Sequence, residues 1–111
     1  MSEEIIESIN DSVFFKFEKV IDGVVVGRAF LFVISNDLHD KSYGLLEDIW
    51  VEPNFQGKDI GTELVKSVIE KCKSEGLYKL LATSRKSREQ VHSWYERLGF
   101  DKYGHAFRMD F

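Results

Sequence analysis

Apolar and polar positions follow two different periods along this chain. "SVFFKFEKV" (12–20) alternates through Phe15 and Phe17, and "VVVGRAFLFVI" (24–34) is rich in β-branched and aromatic residues. Asp22 and Gly23 stand between the two runs, and a DG pair in that place predicts a β-hairpin. Residues 35–44, "SNDLHDKSYG", form a polar turn, after which "LLEDIWV" returns to strand until Pro53 removes a backbone donor. From Ile60 the period lengthens: Leu64, Val65, Val68, Ile69 and Cys72 mark one face of a helix, with Gly76 just beyond its end. "YKLLATS" reads as a buried strand. In "SREQVHSWYERLGF", Val91, Trp94, Tyr95 and Leu98 recur at helical spacing, Ser87 and Gln90 have capping-box spacing, and Gly99 closes the helix. The tail alternates at Phe107, Met109 and Phe111, which predicts a last strand. Residues 1–11 carry Ile5, Ile6 and Ile9 at a spacing that suits either a short helix or a leading strand.

The order is therefore βββαβαβ, with a final hairpin as its variant: an α+β fold with a mixed, mainly antiparallel sheet and two principal helices. A chain of 111 residues, 43% hydrophobic and 14% aromatic, suits one domain over 1–111 built on one core. It contains no repeat and no internal linker.

Charge and cysteine usage narrow the classes. Residues 1–55 hold four Lys/Arg against eleven Asp/Glu, residues 56–76 four of each, and residues 77–111 seven against four. An acidic half beside a basic half favours a cationic acceptor on one side and an anionic ligand on the other, and speaks against nucleic acid as a partner. No apolar run approaches the ~18 residues of a membrane span. The acidic N-terminus does not resemble a signal peptide, and the lone Cys72 has no disulfide partner, so the expected location is the cytoplasm. Cys72, on an apolar helix face, reads as a packed thiol. His39, His92 and His105 lack metal-ligand spacing with it, so no metal is expected. Trp50 and Trp94 read as core or interface residues.

The chemistry concentrates in "VEPNFQGKDIGTELV" (51–65). Gly57 and Gly61 lie between a strand and a helix, where free backbone N–H groups converge and attract anions. Asp59 puts a negative charge at that point. As a preferred N-cap residue it is expected to fold its carboxylate onto the amide of Gly61 or Thr62 and so to compete with a bound anion, with Lys58, Arg85, Lys86 or Arg88 compensating.

On "LEDIWVEPNFQGKDIG", the helix after it, and "WYERLGF", the chain from about residue 13 onward resembles the GNAT superfamily of acyl-CoA-dependent N-acetyltransferases. The family's Gln/Arg-x-x-Gly-x-Gly/Ala loop falls on Gln56, Asp59 and Gly61, with the middle glycine replaced. The resemblance implies that the loop and helix start, from Gln56 through Gly57, Lys58, Asp59, Ile60, Gly61 and Thr62, hold the pyrophosphate of acetyl-CoA. It implies too that the backbone of Ile49, Trp50 and Val51 pairs with the pantetheine arm where strands splay apart. Arg88 stands where the family often has an Asn, and its guanidinium is suited to a phosphate. Glu47 is implied as the base that takes a proton from the attacking amine, or else it is an ordinary strand carboxylate, with Asp48 on the opposite strand face in reserve. Tyr95 is implied as the acid that protonates the leaving thiolate, or else it is a core residue with a locally satisfied hydroxyl.

The expected activity is direct acetyl transfer to a primary amine of a small molecule, peptide or protein. The alternative is a catalytically silent acyl-CoA-binding or partner-binding domain, and a purely structural module is a third. Most members carry a strand and two helices before the hairpin, where this chain has about a dozen residues. The acceptor side is therefore expected to be open or covered by a second copy in a homodimer.

Overall fold

The computed structural model describes residues 2–111. Strand β1 (Val13–Ile21) turns through Asp22 and Gly23 into β2 (Val24–Ile34). Both turn residues are left-handed, with φ of 50° and 78°, the geometry that lets a two-residue turn follow the twist of its strands. β3 (Tyr43–Val51) pairs antiparallel with β2, a single 3-10 turn covers Pro53–Phe55, and helix α1 (Ile60–Ser74) crosses over to β4 (Leu80–Ala82), which joins β3 in parallel. Helix α2 (Glu89–Arg97) follows. The mixed sheet has the order β1-β2-β3-β4, so the α+β architecture with two helices is as the hydrophobic periods predict.

One face of the sheet carries the core. Val26, Ala29, Leu31 and Leu46 meet Ile60, Leu64, Val65, Val68 and Cys72 of α1, all buried, and each fully buried aliphatic side chain contributes about 1.5–3 kcal/mol. Gly27 sets how close the helix comes: a Cβ there would lie 3.0 Å from both Ile60 Cγ2 and Leu64 Cδ1, so its absence seats the first turn of α1 directly on β2. Gly76, at φ 69°, closes α1: the Leu77 N–H donates to the Cys72 carbonyl at 2.9 Å and the Gly76 N–H to that of Lys73 at 3.2 Å.

Three expectations need correction. The strand read over Phe107–Phe111, and with it the final hairpin, does not form: residues 100–111 have no regular structure, and Phe107, Met109 and Phe111 are exposed. Alternation assigns a face, but a strand exists only where a neighbour supplies a ladder, and β4 offers just three residues. That shortness also leaves β4 half-buried. The capping box is absent too, since α2 begins one residue later, with Arg88 at its N-cap and no side-chain cap bond. Residues 2–12 adopt neither element, and Ile5, Ile6 and Ile9 are exposed.

Candidate active site

The site is assembled where β3 loses its partner. β3 meets β4 only over Gly44–Leu46, so from Glu47 to Val51 that edge of β3 has no neighbour among the described residues. On the other edge the register shifts: Glu47 opposes Phe30 and Trp50 opposes Arg28, which leaves Asp48 and Ile49 to share Ala29. Asp48 is left-handed, φ 52°, and this β-bulge re-aims the strand. Glu47 and Trp50 consequently share the face turned away from α1, with the Arg28 guanidinium 5.0 Å from the Trp50 ring, while Ile49 packs into the core. Asp48 points to solvent. The slip was visible in the sequence: "LEDI" places two polar residues where strict alternation allows one, and Asp tolerates the left-handed conformation.

The loop after β3 is strapped to the strand. The Glu52 N–H donates to the Val26 carbonyl at 2.8 Å, the Glu52 carboxylate accepts from the Asn54 N–H at 2.9 Å, and the Gln56 amide Nε2 donates to the Val51 carbonyl at 3.1 Å. Gln56 thus braces the loop through its side chain. Gly57 (φ 79°) and Asp59 (φ 63°) then turn the backbone twice through the left-handed region. The first helical bond runs from the Glu63 N–H to the Asp59 carbonyl at 3.0 Å; the Lys58 N–H closes the turn through Gln56 and Gly57, and the amides of Gly57 and of residues 59–62 meet no acceptor among the described residues. Four consecutive free N–H groups at the helix N-terminus, with that of Gly57 beside them, form an anion cradle. They open on a cleft of about 220 Å³ between Val51, this loop and Trp94. The Lys58 ammonium stands 5.0 Å from the Phe55 ring at its rim.

Asp59 occupies the N-cap position but makes no side-chain cap bond, contrary to expectation. A capping carboxylate needs an extended residue, and a φ of 63° carries it elsewhere. Asp59 instead adopts the backbone conformation that a glycine would take, and its carboxylate is uncommitted.

α2 delivers the remaining groups. The Trp94 indole N–H donates to the Thr62 hydroxyl at 3.0 Å, fixing α2 against the first turn of α1; periodicity placed Trp94 on an apolar stripe and gave no sign of this bond. The Tyr95 ring stacks 5.3 Å from Trp94 and lies 5.2 Å from Phe100. The latter contact belongs to the helix terminus, where Gly99 has φ 104° and the Phe100 N–H donates to the Tyr95 carbonyl at 3.0 Å. The ring is therefore packed, as the core reading held, yet the hydroxyl has no hydrogen-bond partner among the described residues. Burial pushes the phenol above its ordinary pKa, the Arg88 guanidinium pulls it back, and the Glu47 carboxylate raises it again. Tyr95 thus lies within electrostatic reach of Arg88, two turns earlier at the start of α2, and of Glu47 on β3, far away in sequence. The His92 ring and the Arg85 carbonyl are 2.9 Å apart, which ties the turn before α2 to the helix. Arg85, Lys86 and Arg88 take part in none of the salt bridges among the described residues. Burial also raises the Cys72 thiol, in keeping with a packed residue. Among the described residues, no helix is long and apolar enough to cross a membrane.

The profile of the acetyltransferase (GNAT) family matches residues 2–100. The chain belongs to this family. Glucosamine 6-phosphate N-acetyltransferase of Trypanosoma brucei brucei is 30% identical over 89 residues, which cover 79% of this chain and 58% of that protein. The crystal structure of a Trypanosoma brucei acetyltransferase superposes with a TM-score of 0.73 at 29% identity, covering 80% of this chain and 61% of that one. Glucosamine-6-phosphate N-acetyltransferase of Arabidopsis thaliana gives 0.75 at 24% identity over 91% and 67%. The chain thus spans about three fifths of the length of the Trypanosoma proteins it matches. GNAT proteins take their acetyl group from acetyl-CoA.

Proposed function

We propose that this chain is an N-acetyltransferase that moves an acetyl group from acetyl-CoA to a primary amine. The observation that carries the reading is the row of free amides at the start of α1, residues 59–62, which fits a diphosphate, lying one strand-end away from a carboxylate and a phenol that feel each other. The amides and Lys58 bind the diphosphate. The open edge of β3 at Ile49, Trp50 and Val51 offers backbone donors and acceptors to an amide-bearing arm, and the Gln56 brace holds that edge to the loop. Arg88 offers a cation beside Tyr95.

The reaction needs three proton movements. Glu47 removes one from the incoming ammonium, directly or through water, which frees the lone pair that attacks the thioester carbonyl. Tyr95 gives one to the departing sulfur, and its raised pKa keeps the phenol protonated and able to donate across the physiological range. The nitrogen of the adduct then releases its second proton, which by way of water restores the phenol; the new bond is N–C and the broken bond C–S.

The acceptor is a primary amine of a small molecule or peptide. Glucosamine 6-phosphate, named for two of the similar proteins, is the first to try, because Arg85, Lys86 and Arg88, in the turn that leads into α2, take part in none of the salt bridges among the described residues, and Arg88 reaches Tyr95 electrostatically. A polyamine tests the opposite expectation, that the acidic half draws a cation. We further take the enzyme to be cytoplasmic and homodimeric, the second on the free sheet edge and exposed aromatic residues.

Calorimetric titration with acetyl-CoA, followed by a thiol-release assay over these amines, tests the whole. Saturable binding and release dependent on an amine are expected. Binding without transfer to any amine favours the catalytically silent reading, to which the uncommitted Asp59 carboxylate lends its support, and absent binding overturns the proposal.

A further inference from the structure

We propose that β1 pairs edge to edge with β1 of a second copy, antiparallel about Phe17, joining the two sheets into one. β1 lies at the end of the sheet, and its outer edge is a nine-residue run with no proline or glycine, whose ladder to β2 slips once, between Lys19 and Val20, where β2 carries the extra residue Val26. Natural proteins rarely leave so long an edge unpaired.

The strand's own side chains choose the partner. Phe14, Lys16, Glu18 and Val20 are exposed and share the face away from α1, with Lys16 and Glu18 in a 3.7 Å pair on each free edge. In a two-fold antiparallel pairing centred on Phe17, Lys16 opposes Glu18 of the partner subunit and Phe14 opposes Val20 of the partner subunit, each twice over. Apolar meets apolar and opposite charges meet. Moving the centre to Lys16 sets lysine against lysine, and moving it to Glu18 sets glutamate against glutamate. Moving it by half a step puts the two α1 helices on opposite faces, because strand side chains alternate. One register therefore satisfies both charge and face. Phe14 already stacks on Phe32 at 5.3 Å and lies 6.1 Å from Phe30, so the pairing also extends an apolar surface present in each copy.

The test uses the full chain and analytical ultracentrifugation. Lys16 and Glu18 are exposed, so their exchange leaves the fold intact, which circular dichroism checks. Wild type sediments as a dimer at micromolar concentration. Lys16→Glu alone, or Glu18→Lys alone, creates two like-charge oppositions and weakens the dimer by about tenfold or more. Mixing the two variants restores it as a heterodimer, since each then supplies the charge the other lacks. A monomeric wild type at high micromolar concentration overturns the proposal, as does either single variant dimerising as tightly as wild type, or a mixture that fails to associate. Residues 2–12 folding back onto β1 would give the first of these results.

Discussion

Helix α1 buries Ile60, Leu64, Val65, Val68 and Cys72 against three strands, whereas α2 buries no residue fully, packs Trp94, Tyr95 and Leu98 half-buried against the core, and is joined to α1 by the Trp94–Thr62 hydrogen bond. The anion cradle thus stands on the better-packed helix, and the candidate acid stands on the less packed one. A site that must hold a highly charged group in place gains from the rigid half. A group that has only to approach a leaving atom tolerates the looser one, provided that one contact keeps the halves in register.

The largest expected effect falls on the looser half. Tyr95→Phe keeps both ring contacts and should slow single-turnover acetyl transfer by roughly 10² to 10⁴-fold with little change in acetyl-CoA affinity; an unchanged rate returns Tyr95 to packing alone. The same residue has a signature in stability. Because burial holds its phenol above the ordinary ~10, the folded chain binds that proton more tightly than the unfolded chain does. The resulting stability is full below pH ~10 and is lost as pH rises through the folded pKa, so Tyr95→Phe should flatten the alkaline arm of the stability profile.

Truncation sharpens the contrast in packing. Leu64→Ala, in the buried face of α1, should cost about 2–5 kcal/mol in urea unfolding. Leu98→Ala, half-buried at the end of α2, should cost less than half as much, and equal costs would dissolve the distinction between the helices. Glu47→Gln should lower turnover mainly at acidic pH, where the amine arrives protonated; a pH–rate profile that overlays wild type removes Glu47 as the base.

Asp59→Gly carries the smallest stability effect. A left-handed Asp with no cap bond gains little from its side chain, so glycine should be neutral or stabilising by up to ~1 kcal/mol. It should also tighten acetyl-CoA binding by removing a negative charge from the cradle. Weaker binding by the glycine variant, measured by titration at two salt concentrations, would mean that the carboxylate is no obstacle.

The difference between the halves also governs what was legible in the sequence. The hairpin, β3, α1 and α2 each repeat their apolar period over at least two turns or several alternations, and the DG pair and the closing glycines mark their ends. These elements carry the fold. Phe107, Met109 and Phe111 keep the period of a strand, yet pairing depends on a ladder that only three residues of β4 could offer. The loop was legible as an anion site because it needs backbone and glycine more than side chains. The Asp59 carboxylate was misplaced because N-cap preference assumes an extended backbone, and φ is not written in composition. The Trp94–Thr62 bond and the approach of Tyr95 to Glu47 depend on where α2 docks on α1 and β3, which no local pattern encodes.

The central claim is that the free amides at the start of α1 receive the diphosphate of acetyl-CoA. An amide NMR titration of the ¹⁵N-labelled chain with acetyl-CoA reads those groups one by one. The account predicts saturable shifts that are largest at residues 57–62 and extend to Ile49, Trp50 and Val51, with the solvent-facing residues Lys66–Ser74 of α1 little changed. Saturable shifts elsewhere with residues 57–62 unmoved, or no saturable shift at all, would contradict it.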